Sequence, residues 1–200
     1  MSEKIRISVL VSGGGTNLQA LIDSIGKGEL QDAEIALVIS SRKDAFALER
    51  AKAAGIKTAV ISKGDFPDEA LHSAELIKAL EGVGTSLIVL AGYMSILQPD
   101  IIKRYRGRII NIHPSLIPKY CGAGFYGMKV HKAVIEAGEK VSGASVHFVD
   151  EGIDTGEIIL QREVPVMEGD DEKSLAARVL AVEHKILPEA IKRAIGGISL

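Results

Sequence analysis

The chain has 200 residues, of which 46% are hydrophobic and 25% are charged, and its formal net charge is −2. A single domain spanning residues 1–200 is expected, and a chain of this length can bury a sizeable core. The small net charge gives no general attraction to nucleic acid or to an anionic membrane, and neither is expected as a partner. The expected partners are small-molecule substrates.

The first residues and the single cysteine narrow the class of protein further. The start lacks the apolar core of a signal peptide and no apolar run reaches transmembrane length, which favours a cytoplasmic location. Cys121 stands alone, so an intrachain disulfide and a cysteine metal cluster are excluded, and no metal site is expected. Cys121 could be a nucleophile, but a small residue in a loop is the better interpretation. Monomer and homodimer both stay open.

The first half of the chain alternates apolar runs typical of buried strands with segments typical of helices. Strands are predicted at 5–11, 34–40, 57–61 and 87–91, and helices at 18–26, 44–54 and 67–81. In the third helix, the prediction puts Pro67 in the first turn and Leu71, Ala74 and Ile77 on an apolar side.

The second half contains an apolar run at 108–110, a helix at 130–137, strands at 142–149 and 157–166, and a final helix. Asp170 is the predicted cap of that helix, and Pro188 should kink or interrupt it. Segment 114–128 is long for a connection, which is typical of a functional loop. The alternation predicts an α/β fold with a doubly wound, mostly parallel, Rossmann-like sheet.

A glycine-rich loop, Ser12-Gly13-Gly14-Gly15-Thr16-Asn17, joins the first strand to the first helix. Bare backbone amides at a helix N-terminus favour anions. The dinucleotide fingerprint would need a glycine where Leu18 stands, and the P-loop would need Gly-Lys-Ser/Thr. The loop therefore favours a phosphate on a smaller ligand, although a tight turn would also need glycine.

Asn111 and His113 follow the central apolar run and precede Pro114, which should end the strand. Residues two apart share a face of a strand, so both side chains project together at the edge where open α/β sheets bind ligands. They could instead be an amide and an imidazole that merely cap a strand end.

These residue types suit acyl-type group transfer. The histidine can exchange protons near neutral pH, and the amide can stabilise a developing oxyanion by roughly 3–4 kcal/mol. An aspartate beside the histidine would stabilise its protonated form. Because no nucleophile is evident, direct attack by a substrate amine is favoured over a covalent intermediate. The other histidines are interpreted as surface or packing residues (His72, His131 and His184) or as structural (His147).

Four segments together resemble a family; they are Ser12–Ala20, Ala91–Leu97, Asn111–Pro118 and His147–Gly156. In this order they are similar to the phosphoribosylglycinamide formyltransferases, folate-dependent enzymes of de novo purine synthesis. The Asn-x-His-Pro-Ser core and its distant aspartate resemble 10-formyltetrahydrofolate-dependent formyltransferases in general. The glycine loop is more specific to enzymes that act on glycinamide ribonucleotide.

The resemblance implies a role for each matched residue. Catalysis would use Asn111, His113 and Asp154, with Asp154 raising the basicity of His113. The ribonucleotide phosphate would be held by Gly15, Thr16 and Asn17, and the ribose hydroxyls by Glu183. The folate donor, 10-formyltetrahydrofolate, would be bound by Asn111 and by two loops, comprising Met94, Ser95, Ile96 and Leu97, and Val149, Asp150, Glu151, Gly152 and Ile153.

The chain departs from its relatives at two places. Ser95 stands where relatives often carry arginine, and Asp68 and Glu69 stand near Phe66, where some relatives offer an arginine to the folate glutamate tail. Tail binding is therefore expected to use other cations or to be weaker. The loop at 120–128 also differs, so none of its residues is assigned as a ligand.

Three alternatives stay open. Formyltransferases that act on methionyl-tRNA or a sugar nucleotide share the Asn-x-His-Pro-Ser core but carry a further C-terminal domain, whereas this chain ends at Leu200. A formyltetrahydrofolate hydrolase would usually carry an extra N-terminal domain. If the chain were a non-catalytic phosphosugar-binding module, the joint presence of Asn111, His113 and Asp154 would be a coincidence.

Overall fold

The computed structural model describes residues 4–196. These residues contain seven strands: β1 Ile5–Val11, β2 Ala33–Ser40, β3 Thr58–Val60, β4 Leu87–Leu90, β5 Ile109–His113, β6 Val141–Phe148 and β7 Ile158–Pro165. They also contain six α-helices: α1 Thr16–Gly26, α2 Phe46–Ala53, α3 Glu69–Gly82, α4 Pro99–Arg104, α5 Met128–Glu136 and α6 Glu172–Ile195. Within this range, no helix is both long and apolar enough to cross a membrane.

The seven strands form one sheet in the order β3-β2-β1-β4-β5-β6-β7. Strands β1 to β5 pair in parallel, whereas β6 and β7 are antiparallel to their neighbours. The predicted α/β fold with a mostly parallel sheet is therefore confirmed. The winding direction reverses between β1 and β4, and such a switch point opens a crevice at the carboxyl edge of the sheet.

Apolar side chains cover both faces of the sheet, because successive strand residues point to opposite faces. Val9 belongs to one apolar cluster, with residues from α1, α2, α5 and α6. Leu10 belongs to the other, with residues from α3 and α4. Ile110 and Ile112 lie in the first cluster, so Asn111 and His113 face the side of α3 and α4.

The predicted apolar side of α3 is wrong at Leu71 and Ala74, whereas Ile77 is half-buried and packs against the second apolar cluster. Leu71 is 51% exposed and Ala74 is also exposed, whereas His72, Leu76 and Leu80 are buried. Residues spaced by four lie on one side of a helix, and this helix turns the 72–76–80 row towards the sheet. The helix also starts later than predicted: Asp68 caps it by accepting a hydrogen bond from the N–H of Leu71, and Pro67 precedes the cap.

The predicted cap of the last helix is also wrong, and the predicted interruption at Pro188 does not occur. Asp171, not Asp170, caps α6 in a reciprocal arrangement with Ser174, while Asp170 accepts hydrogen bonds from Arg178. The helix continues past Pro188 to Ile195 without interruption. Helix α4 was not predicted; Pro99 occupies its first turn, where proline is favoured.

Candidate active site

A cleft with a volume of about 720 Å³ opens at the carboxyl edge of the sheet. Its walls come from the segments that follow β4, β5 and β6 and from the loop at 122–127. All residues predicted to bind folate line it: Met94, Ser95, Ile96, Leu97, Asn111, Val149, Asp150, Glu151, Gly152 and Ile153. Met94, Ile96 and Ile153 are 54%, 70% and 44% exposed, so they give the cleft an apolar rim.

Asn111, His113 and Asp154 converge at the inner end of this cleft. The Nδ1 atom of His113 lies 3.6 Å from Oδ2 of Asp154, and the Nδ2 atom of Asn111 lies 3.4 Å from Oδ1. The side chains of His113 and Asp154 are only 6% and 12% exposed. The prediction that Asn111 and His113 project from the same face is confirmed, since both reach one carboxylate.

The loop after β5 fixes the proton on His113. Its Nε2 atom lies 2.9 Å from the carbonyl oxygen of Tyr120, and because a carbonyl oxygen only accepts, Nε2 carries the proton in neutral imidazole. Nδ1 is then the basic nitrogen, and it faces Asp154. The N–H of Gly122 donates to Oδ2 of the same aspartate over 2.9 Å, so this loop holds both groups.

His147 is a fourth member of this cluster, and the interpretation of it as merely structural misses its position. It is 2% exposed and lies opposite Asn111 in the antiparallel pairing of β5 with β6. Its Nδ1 donates to the carbonyl oxygen of Phe148 over 2.8 Å, which leaves Nε2 to accept from Nδ2 of Asn111 over 3.1 Å. Nε2 also lies 3.5 Å from Oδ1 of Asp154.

The electrostatics of the cluster favour a neutral histidine beside a charged aspartate. Burial lowers the pKa of His113, and it outweighs the Tyr120 carbonyl and the charge of Asp154, which both raise that pKa. Asp154 does raise the basicity of His113, but the net pKa stays below its ordinary value. Burial alone would raise the pKa of Asp154, but the hydrogen bond from the Gly122 N–H and the positive charge that the neighbouring His113 and His147 rings acquire on protonation bring it below its ordinary value.

The glycine loop forms a second candidate site outside this cleft. Gly15 has φ +71, and a Cβ built on it would lie 2.5 Å from Cβ of Ala47, so only glycine fits there. Within the described residues, no protein acceptor takes the N–H groups of Gly13 to Thr16. This cradle of free amides at the start of α1 suits an anion.

Glu183 on α6 reaches the same region. Its Oε2 atom accepts a hydrogen bond from Nδ2 of Asn17 over 2.6 Å, and both side chains are buried. Burial raises the pKa of Glu183, an effect that the hydrogen bond from Asn17 partly offsets. The structure therefore brings Gly15, Thr16, Asn17 and Glu183 together, as the resemblance implies.

The other histidines and the cysteine considered in the sequence analysis make none of the hydrogen bonds described above. His72 and His131 are buried and His184 is half-buried, in keeping with packing positions. The thiol of Cys121 is partly exposed and donates to the carbonyl oxygen of Pro118, and burial raises its pKa. Across residues 4–196, no three His, Cys, Asp or Glu side chains are grouped so as to hold a metal ion.

The fold and the site define a formyl transferase. The model of the formyl transferase family matches residues 5–191. The crystal structure of glycinamide ribonucleotide transformylase 1 from Symbiobacterium toebii superposes with a TM-score of 0.92, at 42% identity, covering 100% of this chain and 92% of that one.

Two relatives specify the branch of the family. Phosphoribosylglycinamide formyltransferase of Escherichia coli K12 is 42% identical over 187 residues, which are 94% of this chain and 85% of that protein. Trifunctional purine biosynthetic protein adenosine-3 of Drosophila melanogaster is 45% identical over 98% of this chain, but this chain spans only 14% of its length. The chain belongs to the phosphoribosylglycinamide formyltransferase family, and the family predicted from the sequence is confirmed.

Proposed function

We propose that this protein transfers the formyl group of 10-formyltetrahydrofolate to the amine of N1-(5-phosphoribosyl)glycinamide, a step of de novo purine (IMP) biosynthesis and of one-carbon metabolism. The observation that carries the proposal is the convergence of Asn111, His113 and Asp154 at the end of a cleft lined by all ten predicted folate residues. The relatives named above support the choice of acceptor.

The cleft suits a folate by size and by polarity. Its volume of about 720 Å³ lies within the range of small-molecule sites. The apolar rim formed by Met94, Ile96 and Ile153 suits an aromatic ring system, and the buried polar end suits a formyl group. Main-chain groups of both loops would recognise the pterin.

Asn111 would stabilise the oxygen of the tetrahedral intermediate. Both hydrogens of its Nδ2 already have acceptors, His147 at 3.1 Å and Asp154 at 3.4 Å. The contact with Asp154 is at the long limit of a hydrogen bond, so it is the one that a developing oxyanion would replace. The contact with His147 would keep the amide oriented while this exchange takes place.

His113 and Asp154 would manage charge and protons. The acceptor amine forms a bond to the formyl carbon and loses a proton, while the bond from that carbon to the folate nitrogen breaks and this nitrogen gains one. Asp154 would stabilise imidazolium formed at Nδ1 of His113. For Nε2 to contact a substrate oxygen, the Tyr120 carbonyl must give way, so the proposal requires the 120–127 loop to shift when substrates bind.

The glycinamide ribonucleotide would bind across the glycine loop and α6. Its phosphate would accept hydrogen bonds from the free N–H groups around Gly15, Thr16 and Asn17, and the ribose hydroxyls would donate to Glu183. The Oε1 atom of Glu183 has no hydrogen-bond partner among the described residues and is not sealed from solvent, so it is available for this contact.

The folate tail, the use of a metal, the location and the oligomeric state are further features of the proposed enzyme. Near Phe66, Asp68 caps α3 and Glu69 pairs with Lys63, so a folate tail would bind through other cations or bind more weakly. That no metal takes part in the reaction stays a prediction. A cytoplasmic location and a monomer or homodimer stay predictions; a 37% identical relative from Arabidopsis thaliana is named as chloroplastic.

A panel of acceptors tests the proposal against its alternatives. The protein, with 10-formyltetrahydrofolate, is offered glycinamide ribonucleotide, methionyl-tRNA, a sugar nucleotide amine or water alone, and formylated products are measured by mass spectrometry. We expect product from glycinamide ribonucleotide only. Product from another acceptor, or formate from water alone, would reassign the reaction, and no product at all would favour a binding module.

A further inference from the structure

The hydroxyl of Ser12 lies between the two candidate sites. Ser12 follows β1 directly, is 5% exposed, and accepts a hydrogen bond at Oγ from the main-chain N–H of Met94 over 2.8 Å. Its Oγ also lies 2.6 Å from Oγ of Ser41, which follows β2. One hydroxyl thus joins the segments that leave three neighbouring strands.

This contact ties the folate loop to the rest of the molecule. Among residues 4–196, it is the one hydrogen bond that main-chain atoms of residues 92–97 make with another segment. The segment carries exposed Met94 and Ile96, which packing does little to hold in place. Tyr93 and Leu97 pack against the core on either side, so it is the main chain at Met94 whose position depends on where Ser12 holds its hydroxyl.

The other side of Ser12 is the anion cradle. Ser12 is bonded to Gly13, whose carbonyl oxygen accepts from the N–H of Ala47 over 3.0 Å. The carbonyl oxygen of Gly14 accepts from Nε of Arg50 over 2.8 Å. Helix α2 therefore turns these carbonyls towards itself and leaves the loop amides free, so an anion that fixes the amides also fixes the main chain of Ser12.

We propose that Ser12 is a positioning residue that couples the two substrate sites, so that a ribonucleotide on the glycine loop raises the affinity of the cleft for folate. The ligand that binds first restricts motion about the Ser12–Met94 contact, and the second ligand then loses less conformational freedom. Coupling of binding free energies is reciprocal, so folate raises the affinity for ribonucleotide by the same factor. This inference rests on the proposed function.

Calorimetric titrations measure the coupling directly. Tetrahydrofolate, which has no formyl group to transfer, is titrated into the protein with and without saturating glycinamide ribonucleotide, and then in the reverse order. In the natural protein, we expect the first ligand to tighten the second by about fivefold or more. In Ser12→Ala we expect a factor within about twofold of unity, whereas Ser41→Ala, which keeps the contact with Met94, should retain the natural factor.

Hydrogen exchange at main-chain amides tests the inference in the natural protein, so the test does not require a variant to fold. Saturation with glycinamide ribonucleotide alone should slow hydrogen exchange at the Met94 amide in the natural protein, although that residue lies outside the anion cradle. Unchanged exchange, independent binding of the two ligands, or equal coupling in Ser12→Ala would overturn the inference. A natural protein that fails to formylate glycinamide ribonucleotide would instead refute the proposed function, so the two failures are distinguishable.

Discussion

Nδ2 of Asn111 lies 3.1 Å from Nε2 of His147, and the two residues stand directly opposite each other on antiparallel strands. The imidazole is anchored by the Phe148 carbonyl, so its free nitrogen points at the amide and fixes which way Asn111 turns. The orientation of the proposed oxyanion donor therefore depends on a histidine that need not touch substrate.

Replacing His147 with leucine should expose this dependence. Without an acceptor at Nε2 the amide of Asn111 loses its orientation, and we expect kcat to fall by about tenfold or more while dissociation constants change by less than about threefold. His72→Leu is the matched control, because His72 is also buried but lies outside the cleft. Equal kcat in the two variants would show that His147 only fills space.

The anion cradle is tested by adding a single methyl group. Gly15→Ala places Cβ against Ala47 at a positive φ, whereas Gly13→Ala meets nothing within 4 Å. We expect Gly15→Ala to weaken glycinamide ribonucleotide binding by about tenfold, or about 1.4 kcal/mol, and to leave the binary affinity for tetrahydrofolate nearly intact. Gly13→Ala should bind both ligands normally. Loss of folate affinity instead would mean that the two sites are interchanged.

Recognition of the pterin by main-chain groups predicts that the Ser95 side chain is dispensable. Ser95→Ala should keep near-normal affinity for tetrahydrofolate, measured by fluorescence titration. Ile96→Ala, which removes an exposed apolar side chain from the cleft rim, should weaken it. A loss of more than about tenfold in Ser95→Ala, or about 1.4 kcal/mol, would contradict main-chain recognition.

His131 should make the protein less stable in acid. Burial and the charge of His113 lower its pKa from 6.5 to about 4 in the folded protein. Between these values the unfolded chain takes up a proton that the folded chain does not, so the free energy of unfolding falls as the pH drops through this range. Urea unfolding at pH 7 and pH 5 should show a smaller drop for His131→Leu than for the natural protein. An equal drop would mean that His131 is not the group responsible.

Much of the fold could be predicted from local sequence. Apolar runs around Val9, Val38, Val89 and Ile110 indicate buried strands, and their alternation with helices indicates a parallel sheet. The joint projection of Asn111 and His113 needs only the two-residue period of a strand. These features are local, so no knowledge of packing is required.

Features that depend on packing or register could not be predicted. His147 joins the active site because β6 pairs antiparallel with β5 in a register that sets it against Asn111, and local sequence does not encode that register. The buried face of α3 is likewise chosen by the sheet beneath it. Asp170 and Asp171 are adjacent acids. Asp171 caps α6 because it exchanges hydrogen bonds with Ser174, whereas Asp170 is engaged by Arg178, and the sequence alone does not reveal these contacts.

The central claim is that the cluster around Asp154 catalyses formyl transfer, and Asp154→Asn tests it most directly. The substitution removes the charge that would stabilise the His113 imidazolium while keeping the shape of the side chain. The rate of glycinamide ribonucleotide formylation by 10-formyltetrahydrofolate should fall by about a hundredfold or more in kcat, with dissociation constants for both substrates within about threefold of the natural values. Natural turnover with an unchanged pH–rate profile in this variant would contradict the account.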